Sequence, residues 1–189
     1  VTFGLFRVDN ESRVEMDKTG LHTALSSIRG EQELNDGTAQ MRSFSSELTL
    51  NDPNFLDFSP EFSGDQTVVM QTLWPNVILQ QQSNTLATRQ IVPQGPNAFE
   101  LHWTFFGYET DDEEMTIRRL RQANLMGPAG FVSIDDGQIL ERTQEGILAH
   151  PEKRGVVQLG GHETEDTDHM VTEVALRAFY KGYRKVMGL

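Results

Sequence analysis

Phe99-Glu100-Leu101-His102-Trp103-Thr104-Phe105-Phe106-Gly107-Tyr108-Glu109-Thr110-Asp111-Asp112-Glu113-Glu114-Met115 is where the chain changes its period, and that change decides the fold. Phe99 to Thr110 reads as a long β segment rich in aromatic and β-favouring residues. At Asp111-Asp112-Glu113-Glu114 the pattern supplies a helix N-cap and an acidic first turn, and Met115, Leu120, Ala123 and Leu125 follow. Working upstream, Thr67 to Leu73, Asn76 to Gln82 and Thr85 to Val92 read as further strands, punctuated by Trp74-Pro75-Asn76 and Pro93-Gln94-Gly95-Pro96-Asn97. Ser12 to Ser27 reads as a hairpin, with Val14 and Met16, then Leu21, Thr23 and Leu25, alternating around the turn Asp17-Lys18-Thr19-Gly20. Arg29 to Phe58 is polar and reads as a loop-rich excursion with a short helix around Ala39 to Ser45.

Downstream, Gly127-Pro128-Ala129-Gly130 stops the first helix, and a second is expected from about Ala129 to Ala149, ahead of Pro151. Gly160-Gly161 and the acidic run Glu163 to Asp168 form a loop before a last helix, from about Met170 to Met187. Strands followed by long helices is an α+β order, with an antiparallel sheet at its heart.

Bulk properties narrow the function classes. The chain has 189 residues and 37% hydrophobic content, enough for one packed domain. Sixteen basic against 28 acidic side chains give a net charge of -12, and no Lys/Arg-dense stretch suits a phosphate backbone, so nucleic acid is not an expected partner. The absence of cysteine excludes disulfides, thiolate-held clusters and Cys nucleophiles from this segment and permits a reducing cytoplasm. No apolar run approaches the roughly 20 residues that span a bilayer, so no membrane partner is expected. The chain opens on Val1 and directly in an apolar phrase, Val1 to Phe6, and is expected to be the interior of a longer polypeptide.

In the second helix Val132, Asp136, Leu140, Thr143 and Ile147 recur at i, i+4, i+8, i+11 and i+15, one face on which every other member is apolar or a hydroxyl. Asp136 is therefore expected to turn inward, while Asp135 falls with Ile139, Arg142 and Gly146 on a more polar face. A carboxylate facing an apolar interior requires a cation or hydrogen-bond donors. Helical spacing alone does not distinguish a metal ligand from an acid that caps or salt-bridges a neighbouring element.

Four phrases carry a family resemblance: Asn84 to Pro93, Leu101 to Gly107, Gly127-Pro128-Ala129-Gly130-Phe131 with Asp135-Asp136-Gly137, and Arg177 to Arg184. Together they resemble the α subunits of Rieske non-heme iron ring-hydroxylating oxygenases, in the aromatic-acid branch that includes salicylate, terephthalate, anthranilate and halobenzoate oxygenases. The resemblance implies that residues 1–189 are part of the catalytic domain, with an antiparallel sheet curved around a long C-terminal helix in the helix-grip manner. It places Asp136 as the carboxylate of a two-His-one-carboxylate site for mononuclear Fe(II), a set that leaves coordination positions open for oxygen. Both histidines, and the domain holding a [2Fe-2S] Rieske cluster, are expected upstream of Val1. The segment alone is then expected to be inactive.

The same resemblance suggests Arg89 as the partner of a substrate carboxylate, through the planar fork that suits it. A solvent-exposed edge-strand arginine is the other reading. Met70, Gln82 and Val132 fall at positions resembling substrate-lining sites. Implied partners are an aromatic, carboxylated substrate, O2, other α subunits, a small β subunit and a reductase or ferredoxin that delivers electrons from NADH. Arg177 is expected to serve in an i, i+4 ladder with Glu173 and Lys181, or else as a second anion contact. The five histidines do not read as active-site ligands; His162 and His169 bracket an acidic loop that is expected to be solvated. Two alternatives stand beside this reading: a non-enzymatic helix-grip module holding an apolar ligand, and an NTF2-like structural subunit.

Overall fold

The computed structural model describes residues 8–29 and 50–189. Among the described residues six strands form one sheet in sequence order, every neighbouring pair antiparallel: β1 (Val8–Met16), β2 (Thr23–Arg29), β3 (Gln66–Leu73), β4 (Val77–Gln82), β5 (Thr85–Pro93) and β6 (Phe99–Phe106). Three helices follow, α1 (Glu113–Met126), α2 (Phe131–Ala149) and α3 (Val174–Met187). The α+β order is as expected from the sequence. The opening phrase and the short helix around Ala39 to Ser45 lie outside the described residues. No described helix is long and apolar enough to cross a membrane.

Local chemistry explains the connections. In the β1–β2 turn the Asp17 carboxylate accepts from the backbone N–H of Thr19, Leu21 and His22 and from the Thr19 hydroxyl, which holds its pKa far below the usual carboxylate range. Gly20 occupies the left-handed region there, at φ +69°. Asp112, rather than Asp111, caps α1 by accepting from Met115 N at 2.8 Å, and Glu113 and Glu114 complete the acidic first turn.

Residues directly opposite in an antiparallel ladder share a face, so the register sorts the sheet into two surfaces. One surface carries the row Val14, Leu25, Met70, Gln80, Ala87 and Phe105, flanked by a row that includes Gln82 and a row that includes Arg89 and Trp103. Val14, Gln80, Gln82 and Ala87 on this surface are buried, whereas Leu73, Leu79 and Phe106 on the other are exposed.

The outer edge of β1 is covered by the acidic loop. Val14 and Thr167 exchange two backbone hydrogen bonds of 2.9 Å, Asp166 accepts from Met16 N at 2.8 Å, and Met170 N donates to the Ser12 hydroxyl. This loop closes a sheet edge instead of being merely solvated. Helix α3 presents Val174, Ala178 and Gly182 as its buried stripe, and Gly182 lies against Leu21 and Trp74 so closely that a side chain there would collide with Leu21. Arg177 donates to the carbonyls of Glu163 and Leu159, and the Glu173 carboxylate accepts from Leu159 N. The expected surface ladder is therefore replaced by a clamp on the 159–164 loop, in which two loop carbonyls give the guanidinium fixed acceptors while an exposed i, i+4 ion pair is worth little.

The turn between α1 and α2 is tight for a reason visible at Gly130. A Cβ on Gly130 would press on the carbonyl oxygens of Asn124 and Leu125 at the end of α1. Gly130→Ala is expected to lower stability by about 1–3 kcal/mol, the range typical of overpacking against an immovable wall. The shift of the urea midpoint at constant m-value measures it.

Candidate functional site

A cleft of about 730 Å³ opens between α2 and the β5–β6 end of the sheet. Arg89, Ile91, Leu101 and Trp103 form its sheet wall, Ser133, Asp136, Gly137 and Leu140 its helix wall, and residues 93–99 its rim. Gln144 on α2 reaches Asn97 in that rim across 3.4 Å.

The expected inward face of α2 is only partly realised. Asp136, Leu140 and Thr143 do line the cleft, but Val132 packs against Leu125 and Met126, and Ile147 is exposed. No residue of α2 is buried, and Asp136 is exposed while Asp135 is half-buried, the reverse of the order read from the sequence. The helix stands off the sheet, so its residues look across an open cleft instead of into a packed interior. Asp136 forms no ion pair within 4 Å among the described residues. Partial burial against the cleft wall raises its pKa above the usual carboxylate value, the Asp135 charge adds to this, and Arg89 opposes it.

Arg89 lies on β5, between β4 and β6, so the edge-strand reading does not hold. Its guanidinium carbon stands 4.9 Å from the centre of the Trp103 ring, and Nη2 contacts the Met70 sulfur at 3.4 Å. Nε is buried without a hydrogen-bond partner. Burial pulls the Arg89 pKa below its ordinary value and the Asp136 charge partly restores it, and both residues line the same cleft. Met70 thus stands beside Arg89 without lining the cleft. Gln82 is buried, and its Oε1 accepts from Gln80 Nε2 at 2.8 Å. The structure brings Arg89, Met70 and Asp136 together and leaves Gln82 and Val132 outside the cleft lining.

None of the five histidines lines the cleft. His22 Nδ1 accepts from Trp74 N, His102 pairs with Glu100, and His150 faces Glu152. Among the described residues no group of three or more His, Cys, Asp or Glu could hold a metal ion. Asp136 suits a cation as a single ligand: it is accessible, unpaired and repelled by its neighbour.

Sequence reading missed a buried polar hub on α1. Arg119 on α1 donates to Asp111 at 2.7 Å, to Glu61 and to the Asn84 carbonyl at 2.6 Å. Gln122, one turn on, donates to the Asp57 carbonyl and accepts from Asn84 N at 2.8 Å. The one available signal was an arginine three residues before a glutamine within a helix whose apolar residues are few; apart from Asp111, their partners lie 35 to 65 residues away and are invisible to periodicity.

Comparisons with known proteins agree with this geometry. The family model for the ring hydroxylating alpha subunit (catalytic domain) matches residues 2–189. The chain is 50% identical over 189 residues to the large oxygenase component of salicylate 5-hydroxylase from Ralstonia sp, covering 99% of this chain and 45% of that protein. It is 36% identical to the anthranilate 1,2-dioxygenase large subunit of Burkholderia cepacia, with 99% and 45% coverage. Against the terephthalate 1,2-dioxygenase terminal oxygenase component subunit alpha 2 of Comamonas sp, identity is 35%, with 99% and 46% coverage. The chain thus spans less than half the length of these relatives. Its fold matches the crystal structure of naphthalene 1,2-dioxygenase from Rhodococcus sp. at a TM-score of 0.66 with 13% identity, over 98% of this chain and 48% of that one. With its six-stranded meander, its cleft under α2 and a family match from residue 2 to residue 189, the chain belongs to the ring hydroxylating alpha subunit family, within its catalytic domain.

Proposed function

We propose that this chain is the substrate-holding part of a terminal oxygenase component that hydroxylates a benzoate-like aromatic acid with O2 and electrons drawn from NADH. The observation that carries this reading is the pairing across one cleft of an accessible, unpaired carboxylate, Asp136, with a guanidinium, Arg89, that has no acidic partner of its own among the described residues. The names of the relatives point the same way, since salicylate, anthranilate and terephthalate are all aromatic carboxylates.

In this reading Asp136 is one ligand of a mononuclear Fe(II), completed by two histidines from a part of the full-length protein upstream of Val1. When bound, the iron supplies open coordination positions at which oxygen is activated next to the ring. The chain's own residues do the rest. Arg89 receives the substrate carboxylate, while Ile91, Leu101 and Leu140 offer the ring an apolar wall and exclude water from its faces. Met70 backs the Arg89 guanidinium, and Gln82 and Val132 shape the surrounding packing. Electrons pass from a reductase or ferredoxin through a Rieske [2Fe-2S] cluster elsewhere in the full-length protein. The working assembly contains other α subunits and a small β subunit, in the cytoplasm, a setting the absence of cysteine permits.

The test of the substrate assignment is Arg89→Leu in the full-length oxygenase. Loss of a charge-assisted, two-point contact of about 1.5–3 kcal/mol is expected to lower kcat/KM for aromatic acids by about 10–100-fold, with little change for neutral arenes. Equal losses for both classes would remove Arg89 from the carboxylate site.

A further inference from the structure

We propose that Trp103 is a positioning residue that sets the preference for carboxylated over neutral rings, by holding the Arg89 guanidinium face-on so that its N–H edge is presented to the substrate. The inference rests on the reading of Arg89 as the carboxylate partner and extends it to a residue that need not touch the carboxylate.

Arg89 and Trp103 are direct register partners on β5 and β6, so their side chains leave the same face of the sheet at the same height. The guanidinium carbon stands 4.9 Å from the centre of the Trp103 ring. An arginine over an aromatic ring is attracted through its flat face, whereas a carboxylate is bound in plane through the N–H edge. The two interactions do not compete for the same atoms. An acidic side chain at the same place would hold Arg89 equally well but would consume the edge that the substrate needs.

Other restraints on this arginine are few. Among the described residues its polar contact is the Met70 sulfur, a weak acceptor, and Nε is buried with no partner. A long side chain in that condition has several rotamers open to it unless something broad and rigid holds it. Trp103 is rigid because it is stacked in turn on Phe105, with ring centres 5.4 Å apart and planes inclined by 18°. Phe105 reaches the turn after α1, where a Cβ on Gly127 would stand 3.0 Å from its ring. The line Arg89, Trp103, Phe105, Gly127 thus ties the proposed anion site to the turn that launches α2 and Asp136.

The experiment uses the full-length holoenzyme, with benzoate and toluene as a charged and a neutral probe of similar size. Trp103→Leu is expected to weaken benzoate binding by about 10-fold, as loss of a partly desolvated cation–π contact implies, and toluene binding by less than about 2-fold. In the double variant with Arg89→Leu, benzoate affinity is expected to match that of Arg89→Leu alone, because Trp103 acts only through the arginine. Equal weakening of both probes, or a full multiplicative loss in the double variant, overturns the proposal and makes Trp103 a packing residue. If Arg89→Leu alone leaves the benzoate-to-toluene ratio unchanged, the underlying Arg89 reading fails, and that result is separate from the behaviour of Trp103. Site-specific fluorinated tryptophans at position 103 keep the shape and drain the ring face, so they test the contact without a cavity. Stepwise loss of benzoate affinity with added fluorine supports the proposal, and constant affinity overturns it.

Discussion

Asp136→Ala in the full-length oxygenase is expected to empty the mononuclear iron site and to lower ring hydroxylation by more than about 100-fold. Loss of a residue that merely supports a metal ligand commonly costs about 10–100-fold in affinity or activity, and loss of a ligand should exceed that. The environment of the carboxylate would favour a bound cation. Partial burial and the neighbouring Asp135 both disfavour its charge, and no ion pair within 4 Å compensates it among the described residues. A bound divalent ion would reverse both penalties at once. Iron per protomer, measured directly on purified protein, reads the effect without relying on turnover. Asp135→Ala serves as the control and should keep its iron, since Asp135 does not line the cleft. Unchanged iron in Asp136→Ala would dismiss the residue as a ligand.

The second large effect concerns stability. Arg119→Leu should cost about 3–5 kcal/mol, because it strands the carboxylates of Glu61 and Asp111, both only 11% exposed, without their shared cation. The same change leaves the Asn84 carbonyl without its guanidinium donor. Arg119→Lys should recover only part of the loss, since a single ammonium cannot replace a fork that reaches two acids and a carbonyl. Urea denaturation of the purified oxygenase measures both, and a change under 1 kcal/mol would show that the hub is dispensable. A pH signature accompanies it. The Arg119 hydrogen bonds hold the Asp111 pKa below its ordinary value of 3.8. The folded state therefore binds this proton less readily than the unfolded one. The resulting stability is complete above that ordinary value and is lost as pH falls through the depressed one. In Arg119→Leu this acid-side loss should shrink.

The hub also shows where the reading of the sequence stopped. Asp111 and Asp112 looked like one N-terminal cap, yet only Asp112 caps the helix, and Asp111 turns back to Arg119 eight residues on. A cap is a local contract between neighbours, legible in three or four residues. Arg119 and Gln122 meet Asp57, Glu61 and Asn84, which the chain brings close only after the sheet has formed. Likewise the face of α2 was read by assuming that an apolar stripe must be covered. Leu140 and Ile147 on that stripe are more than half exposed, and of the stripe only Asp136, Leu140 and Thr143 line the cleft.

By itself the sequence determined the strands, the period change at Asp111 and the turn chemistry at Asp17 and Gly130. These depend on interactions among residues close along the chain, where alternation, capping and glycine leave a direct trace. Only the tertiary structure decided that Arg89 stands on an interior strand under Trp103, that Met70 backs it while Gln82 and Val132 turn elsewhere, and that Asp136 faces an open cleft. Those facts follow from strand register and from how far α2 stands off the sheet. Both are set by packing between segments distant in sequence, and a one-residue slip in register would send Arg89 to the other face.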